Sequence, residues 1–311
     1  MASSRTLVSF DWAIKRLLRQ KASFGILNGF LSELLLQDIK VSEILESEGN
    51  QEDEDDKYNR LDLLCTDTIG DLIIIEVQFY EESDYFHRCL YASSKVITEF
   101  MSKGEAYRGV KKVFSINILY FDLGHGSDYL YKGIIDFRGI HLEDRLELSE
   151  NQKEKFGKKF PSDIFPEYYL IKVNNFNNIA KTTIDEWIYF LKNTELPNNY
   201  KAQGLALVDS QLKYDNMDIA SKRKYNQYLK EIKISQDMLE TAKFKGKIEG
   251  KIEGKIEGKI EGKIEGKIEE KIDMILVLHA DKLSIAQIAK YVRLPEDDVV
   301  SIINEHRKGQ S

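Results

Sequence analysis

Residues 60–79 have the sequence RLDLLCTDTIGDLIIIEVQF, and this stretch decides the predicted fold. Two short runs rich in leucine and isoleucine, residues 60–66 and 71–79, flank the residues Asp-Thr-Ile-Gly at 67–70. Apolar runs of this length, separated by turn-forming residues, are typical of a β-hairpin. The stretch therefore predicts two paired antiparallel strands.

An acidic residue lies inside each of these apolar runs, Asp62 in the first and Glu76 in the second. A hairpin centred near Ile69 pairs residues whose numbers sum to 138, which places Asp62 opposite Glu76 on one face of the sheet. Two like charges at that distance repel by up to about 4 kcal/mol at an effective dielectric near 20. A divalent cation removes this repulsion, so the pair is a candidate site for Mg²⁺ or Mn²⁺. Gln78 lies on the same face, where it can hold a water molecule or a phosphate oxygen.

The same two carboxylates also have a purely structural interpretation. Arg60 and Arg88 are available as partners, and each acid could form an ordinary ion pair within or beside the sheet. An acidic residue buried with a partner is far less costly than one buried alone. The spacing of Asp62 and Glu76 is compatible with both interpretations.

The spacing of apolar residues changes on both sides of the hairpin. Steps of three and four residues predict helices over residues 10–45 and 84–103, while the run VKKVFSINILYFDL at 110–123 predicts a third strand. Weaker strands are predicted at 129–137 and 168–173, and the chain is predicted to be helical from residue 182 onward. The order helix, strand, strand, helix, strand predicts an α/β core followed by a helical C-terminal half.

The tetrad Gly-Lys-Ile-Glu repeats from residue 246 to residue 266. A spacing of four turns the isoleucine row by roughly 40° per repeat, so the row circles a helix instead of forming a straight seam. Lysines stand four residues from lysines and glutamates from glutamates, which is repulsive, and each glycine costs up to about 1 kcal/mol relative to alanine. The repeat is interpreted as a spacer. Alternatively, its Gly-x-x-x-Gly spacing allows close contact between copies and a homo-oligomer formed through the tail.

The residues after the repeat predict two short helices joined by a tight turn, similar to a helix-turn-helix. Ser284 is a good N-cap for the first helix, and Pro295 precedes the second. The second helix begins with Glu296, Asp297 and Asp298, whose negative charges would repel the phosphates of DNA. Contact with protein is therefore favoured over contact with DNA.

Composition limits the classes of partner. A net charge of −7 argues against a protein that coats nucleic acid by charge alone, so any DNA contact must be local. No apolar run approaches the roughly 20 residues of a membrane span, and charges occur throughout the first 20 residues, which predicts a cytoplasmic protein without a membrane partner. Two cysteines and five scattered histidines give no zinc pattern. The acid-rich run at 46–57 predicts a surface loop.

Five motifs together resemble a known family. They are FDWAIK at 10–15, FLSELL at 30–35, RLD at 60–62, IEVQ at 75–78 and FHRCLY at 86–91. In this order and spacing they resemble the PD-(D/E)XK nuclease family transposases, also described as recombination-promoting nucleases, over roughly residues 5–240. The resemblance implies a restriction-endonuclease-like fold and metal-dependent cleavage of DNA, linked to recombination or transposition.

The resemblance also implies roles for individual residues. Asp62 and Glu76 become catalytic ligands of Mg²⁺ or Mn²⁺, Gln78 takes the position of the usual lysine, and Glu33 becomes a first-helix acid. Arg88 and Tyr91 match an Arg-x-x-Tyr motif on the following helix, where a contact with DNA phosphate is expected. Glutamine can orient a water molecule but cannot neutralise charge, which leaves an alternative: a nuclease-fold DNA- or protein-binding or assembly module with weak or no turnover.

These interpretations divide the chain into four segments. The predicted segments are a PD-(D/E)XK nuclease-like core at 1–180, a helical extension at 181–245, the tetrad-repeat spacer at 246–271 and the small helical end unit at 272–311.

Overall fold

The computed structural model describes residues 7–16, 21–45, 61–101 and 104–308. The chain forms two units, Met1–Tyr225 and Asn226–Ser311. The predicted acid-rich loop at 46–57 lies outside the described residues, as does Arg60.

The first unit is built on a six-stranded mixed sheet. The strands are β1 (Val41–Leu45), β2 (Leu63–Asp67), β3 (Leu72–Gln78), β4 (Val113–Leu119), β5 (Leu130–Gly133) and β6 (Glu167–Lys172). They lie in the order β1-β2-β3-β4-β6-β5. The neighbours β3, β4 and β6 are parallel, and the remaining pairings are antiparallel. This mixed sheet with its helices confirms the α/β class and fits a PD-(D/E)XK nuclease-like fold.

Among the described residues before position 219, six α-helices accompany the sheet. They are α1 (Phe10–Arg16), α2 (Phe24–Leu35), α3 (Tyr85–Glu99), α4 (Glu150–Phe156), α5 (Thr183–Asn193) and α6 (Leu205–Gln211). Helix α3 packs on the sheet through Val96, which belongs to an apolar cluster with Leu64, Ile74 and Val113. Helix α2 contacts α5, α6 and β1. Helices α5 and α6 therefore share a core with the sheet.

The hairpin forms with the predicted register. Leu63 faces Ile75, and Thr66 faces Leu72, so the numbers of paired residues sum to 138. Gly70 closes the turn with φ of +89°, a left-handed conformation that glycine adopts without strain. The side chain of Asp67 stabilises the turn by accepting hydrogen bonds from the backbone N–H groups of Ile69 and Asp71. Local turn chemistry and the apolar pattern thus agree on one register.

The helical prediction for residues 10–45 is wrong at its C-terminal end. Helix α2 stops at Leu35 because Leu36 adopts a left-handed conformation with φ of 55°. Residues Val41–Leu45 then form β1, which pairs with β2 at the edge of the sheet with an irregularity between Val41 and Glu43. An edge strand obtains its stability from pairing with its neighbour, which outweighs local helical spacing.

An aromatic cluster joins α1 to helices that lie far away in the sequence. The ring of Phe10 lies 5.1 Å from that of Phe30, 5.9 Å from Trp187 and 6.3 Å from Phe190, measured between centroids. All four side chains are buried. Edge-on aromatic pairs of this kind contribute about 0.5–1.5 kcal/mol beyond their buried area. The cluster therefore fixes the position of α1 in the first unit.

The helix α7 (Ile219–Ala280) extends from the first unit through the tetrad repeat. In the second unit it is followed by α8 (Ile285–Val292) and α9 (Glu296–Lys308). Ile275, Ile288 and Val299 form the centre of a small apolar cluster there. The repeat isoleucines from Ile248 to Ile268 are between 43% and 55% exposed, and a Cβ added to any glycine from Gly246 to Gly266 would meet no atom within 4 Å. The repeat thus forms a helix whose side chains are largely uncovered.

No helix in the described part of the chain is both long enough and apolar enough to cross a membrane.

Replacing Gly254 and Gly258 together with alanine should stabilise α7. Neither new methyl group meets a neighbour within 4 Å, and alanine is favoured over glycine by up to about 1 kcal/mol per helical residue. We expect a higher melting temperature for the helical signal in circular dichroism at 222 nm.

Gly29→Ala is the matched control for this pair of substitutions. A Cβ at Gly29 would lie 2.3 Å from the backbone oxygen of Gln203, so this variant should be clearly destabilised. If the repeat variant instead loses helix or dissociates in sedimentation experiments, the glycines form contacts between copies and the spacer interpretation is wrong.

Candidate active site

Asp62 lies at a bend immediately before β2, at the end of the hairpin. Its Oδ2 atom accepts a hydrogen bond of 2.8 Å from the backbone N–H of Val77, which fixes one carboxylate oxygen against β3. The other oxygen, Oδ1, lies 2.9 Å from Nζ of Lys15, the penultimate residue of α1. The Asp62 side chain is 15% exposed and that of Lys15 is 39% exposed. The carboxylate is therefore held by the sheet and reached by a partly solvated cation.

Glu76 lies near the end of β3 and is buried. Its Oε2 atom is 3.3 Å from Nη2 of Arg88, which lies on the first turn of α3. The same guanidinium places Nη1 at 2.8 Å from Oε1 of Glu82, in the loop that joins β3 to α3. Gln78 donates to that same Glu82 oxygen at 2.7 Å. Arg88, Glu82 and Gln78 thus form a hydrogen-bonded chain beside Glu76.

The Glu76 carboxyl titrates far from its ordinary range. Burial, together with the negative charge of Asp62, raises its pKa to about 8. Arg88 and Lys15 act in the opposite direction but do not compensate for the burial. Although the ion pair with Arg88 favours the charged form, desolvation is the larger effect because little water reaches the carboxyl. Glu76 is therefore a carboxylate that would gain from additional positive charge.

A buried polar cluster lies beneath Glu76. Asn117 is paired with Glu76 on the neighbouring strand β4. Its side-chain oxygen accepts a hydrogen bond of 3.0 Å from the hydroxyl of Tyr85, and its side-chain nitrogen donates to Oγ of Ser115 at 3.1 Å. Burial raises the pKa of the Cys89 thiol, which also lies against Asn117, to about 12. The thiol stays protonated at neutral pH, so this cluster supports the site without providing a nucleophile.

The structure brings together most of the residues expected from the sequence. Asp62, Glu76, Gln78 and Arg88 form one group linked by direct hydrogen bonds or by charge. Tyr91 is 51% exposed and lies one turn after Arg88 on α3. Their functional roles stay predictions.

Glu33 has a different set of neighbours. Its two carboxylate oxygens accept hydrogen bonds from the Thr183 hydroxyl at the start of α5 and from the backbone N–H of Gln203, the latter at 2.9 Å. These contacts attach α2 to α5 and to the segment before α6. Its predicted part as a first-helix acid would require these bonds to be released.

Three residues of the site were missed from the sequence. Lys15 lies 47 residues before Asp62, and Glu82 lies six residues after Glu76. Neither separation matches the period of a helix or a strand, so the sequence pattern does not relate these residues to the acids. Asn117 did have a signal, because Ser115 and Asn117 alternate with buried apolar residues along β4 and so share one face with Glu76. The expected pairing of Arg88 with an acid is present, and its partners are Glu76 and Glu82.

The donor set is compatible with a hard divalent cation. Asp62 and Glu76 provide carboxylate oxygens, and Mg²⁺ commonly takes only one or two protein carboxylates and completes its shell with water and substrate phosphate. Within the described residues there is no cluster of three or more His, Cys, Asp or Glu side chains suited to a metal. The raised pKa of Glu76 is the observation that favours a cation, since the buried carboxylate pair is under-neutralised.

The chain was compared with known proteins. A family model described as PD-(D/E)XK nuclease family transposase matches residues 8–242. Neither the search of curated proteins nor the search of solved structures gave a match. The matched range contains all of the site described above and ends before the tetrad repeat.

Glu76→Gln should change how the stability of the metal-free protein depends on pH. Because burial raises the pKa of Glu76 from 4.5 to about 8, the folded chain retains a proton that the unfolded chain releases between these values. The wild type therefore loses stability as pH rises through that window, whereas the amide stays neutral.

Melting temperatures measured in EDTA provide the test. The variant should melt close to the wild type at pH 4.5 and several degrees above it at pH 8.5, given about 2–4 °C per kcal/mol for a unit of this size. An equal difference at both pH values would contradict the raised pKa. Stabilisation of the wild type by Mg²⁺ should also increase over the same interval, because the ion competes with the proton.

Proposed function

The chain belongs to the PD-(D/E)XK nuclease family transposases, and on that premise we propose that it is a DNA endonuclease that uses Mg²⁺ or Mn²⁺ held by Asp62 and Glu76. PD-(D/E)XK nucleases generally use divalent metals, and the family implies a DNA substrate. The observation that supports the proposal most directly is the buried carboxyl of Glu76, whose pKa is raised to about 8 beside a second acid, Asp62. A fold that keeps such a pair tolerates a cost that a bound cation would remove.

The reaction is hydrolysis of a phosphodiester. A water oxygen bonds to phosphorus, one phosphorus–oxygen bond to the sugar breaks, and the leaving oxygen ends with a proton. A metal bound at such a site lowers the pKa of a coordinated water and stabilises charge on the phosphate. Asp62 is suited to its role because the Val77 N–H fixes one oxygen and leaves the other at the partly exposed side.

Gln78 and Glu82 orient groups around this centre. The Gln78 amide donates to Glu82 at 2.7 Å, which leaves its carbonyl oxygen available to hold a water molecule. Glutamine has no charge, so it does not neutralise the phosphate as a lysine would. Gln78 therefore positions water or substrate, and neutralisation has to come from other side chains.

Arg88 and Tyr91 are proposed to contact DNA. The Arg88 guanidinium lies between Glu76 and Glu82, and its planar donors match phosphate oxygens well. Tyr91 is exposed on the same helix, three residues later. Such local contacts suit a chain whose net charge is −7, since no extended basic surface is needed.

In a second candidate function, the chain keeps the nuclease fold but does not cleave DNA. In this alternative the chain binds DNA or protein, and the ion pairs of Asp62 with Lys15 and of Glu76 with Arg88 are the permanent state of the site. The glutamine at position 78 is the feature that favours it. Incubation of supercoiled plasmid with Mg²⁺ or Mn²⁺, against an EDTA control, separates the two functions, because only the nuclease nicks or linearises the DNA.

Asp62→Asn should abolish cleavage and leave the fold nearly as stable as before. Loss of a metal ligand should lower the rate by more than the 10- to 100-fold typical of outer contacts. The amide oxygen can still accept the Val77 N–H, and the ion pair that is lost involves a half-exposed lysine, Lys15. The free energy of unfolding without metal should therefore change by less than about 1 kcal/mol.

Asp38→Asn is the control, because Asp38 also pairs with a lysine, Lys40 at 2.9 Å, but on the exposed surface. It should cleave like the wild type. Thermal melts run beside the plasmid assay give both results. A variant at Asp62 that loses about 3–5 kcal/mol of stability, in a protein that gains none from metal, would identify the pair as structural.

A chain that ends at Lys245 should retain cleavage in solution within about threefold of the full chain. The site lies before this point, and so does the family match, which ends at residue 242. The truncation also removes the whole apolar cluster of the second unit, so no part of that cluster is left exposed. Deletion of two tetrads, residues 250–257, should have still less effect. Sedimentation measures the separate question of self-association, and a loss of cleavage comparable to that of Asp62→Asn would instead give the tail a part in the active structure.

A further inference from the structure

Helix α1 delivers a lysine to the carboxylate pair. Phe10, Trp12 and Ile14 are buried, and the Trp12 ring lies 5.2 Å from that of Tyr225, so the helix is anchored on the core. Lys15 follows these anchors and places its Nζ 2.9 Å from Oδ1 of Asp62. In the motif FDWAIK, the buried apolar residues hold the helix on the core, and the final lysine reaches the carboxylate of Asp62.

Lys15 lies beside both acids of the site. It forms the ion pair with Asp62, whose other oxygen accepts a hydrogen bond from the backbone N–H of Val77, the residue after Glu76. It is therefore close to the point where the two carboxylates meet. A lysine at position 78 would place its charge in this same region, and there the chain has glutamine.

Among the described residues, Lys15 and Arg88 pair with these carboxylates, and Lys15 is the less constrained of the two. The Arg88 guanidinium is shared between Glu76 and Glu82 and its side chain is 25% exposed. The Lys15 side chain is 39% exposed and has a flexible four-carbon stem that ends in a compact charge. By rotation about the bonds of this stem, the ammonium group can move from one oxygen partner to another.

We propose that Lys15 supplies the positive charge that Gln78 does not, by binding a non-bridging oxygen of the scissile phosphate. The inference rests on the proposed nuclease function and names a further catalytic residue for it. In the absence of substrate Lys15 neutralises Asp62. A cation held by the carboxylates would displace the ammonium from Asp62, and the ammonium would then pair with the substrate phosphate. Lys15 gives no proton to the reaction and takes none from it, so hydrolysis balances without it.

Single-turnover cleavage of plasmid DNA compares wild type with Lys15→Gln and with the double variant Lys15→Gln/Gln78→Lys. Loss of one group that stabilises the transition state costs about 10²–10³-fold, so Lys15→Gln should be slower by at least about 100-fold. A lysine at 78 can keep the contact with Glu82 and restores the charge. The double variant should therefore recover at least about tenfold.

A second readout does not depend on cleavage. Affinity for a short duplex is measured by fluorescence anisotropy in Ca²⁺ at several salt concentrations. Loss of one phosphate contact lowers the slope of log K against log[salt] by about 1. Lys15→Gln should show this change, whereas Lys40→Gln, at an exposed lysine paired with Asp38, should not.

The outcomes separate this inference from the function on which it rests. Failure of the wild type to cleave in any metal rejects the nuclease, and the salt slope then decides the phosphate contact alone. Cleavage by Lys15→Gln within about threefold of wild type, or an unchanged salt slope, overturns the role of Lys15. So does a variant that loses Mg²⁺-dependent thermal stabilisation together with activity, because Lys15 would then serve only to assemble the carboxylate pair.

Discussion

The burial of the Glu76 carboxyl beside Asp62 is the constraint on which the arrangement of the site depends. The hairpin register brings the two acids together, and burial raises the pKa of Glu76 to about 8. Cations on two different helices pair with these acids, Lys15 of α1 with Asp62 and Arg88 of α3 with Glu76. Beside Glu76 on the neighbouring strand, the side-chain oxygen of Asn117 accepts a hydrogen bond from the hydroxyl of Tyr85. Together these features make a place for one more positive charge.

The sequence predicted the parts of this arrangement that depend on local pattern. The register of β2 and β3 followed from a turn and a two-residue period, and it fixed Asp62, Glu76 and Gln78 on one face. Lys15 could not be placed this way, because α1 is held by Phe30, Trp187 and Phe190, whose distances along the chain leave no periodic trace. β1 was missed because an edge strand is stabilised by its partner. The contacts of Glu33 with Thr183 and Gln203 were equally invisible, since they join segments about 150 or more residues apart.

An acidic chain can still belong to a nuclease family when individual cations are well placed. With a net charge of −7, long-range attraction to DNA is weak, and binding must rely on contacts made at close range. Glu82 is an example of such local placement. One of its carboxylate oxygens accepts hydrogen bonds from both Arg88 and Gln78 and so orients the two side chains that are proposed to act on DNA. The tetrad repeat contributes alternating lysine and glutamate, which cancel, so its length can change with little effect on total charge.

The buried thiols make the centre resistant to oxidation. Reaction with peroxide begins from a thiolate, and burial raises the pKa of both Cys65 and Cys89 to about 12, so the thiolate fraction is minute at physiological pH. Cys89 is buried against Asn117, the residue paired with Glu76, so an oxidised sulfur there would add polar oxygen atoms to a buried environment. Neither of the two thiols therefore offers oxidants a ready point of attack near the site.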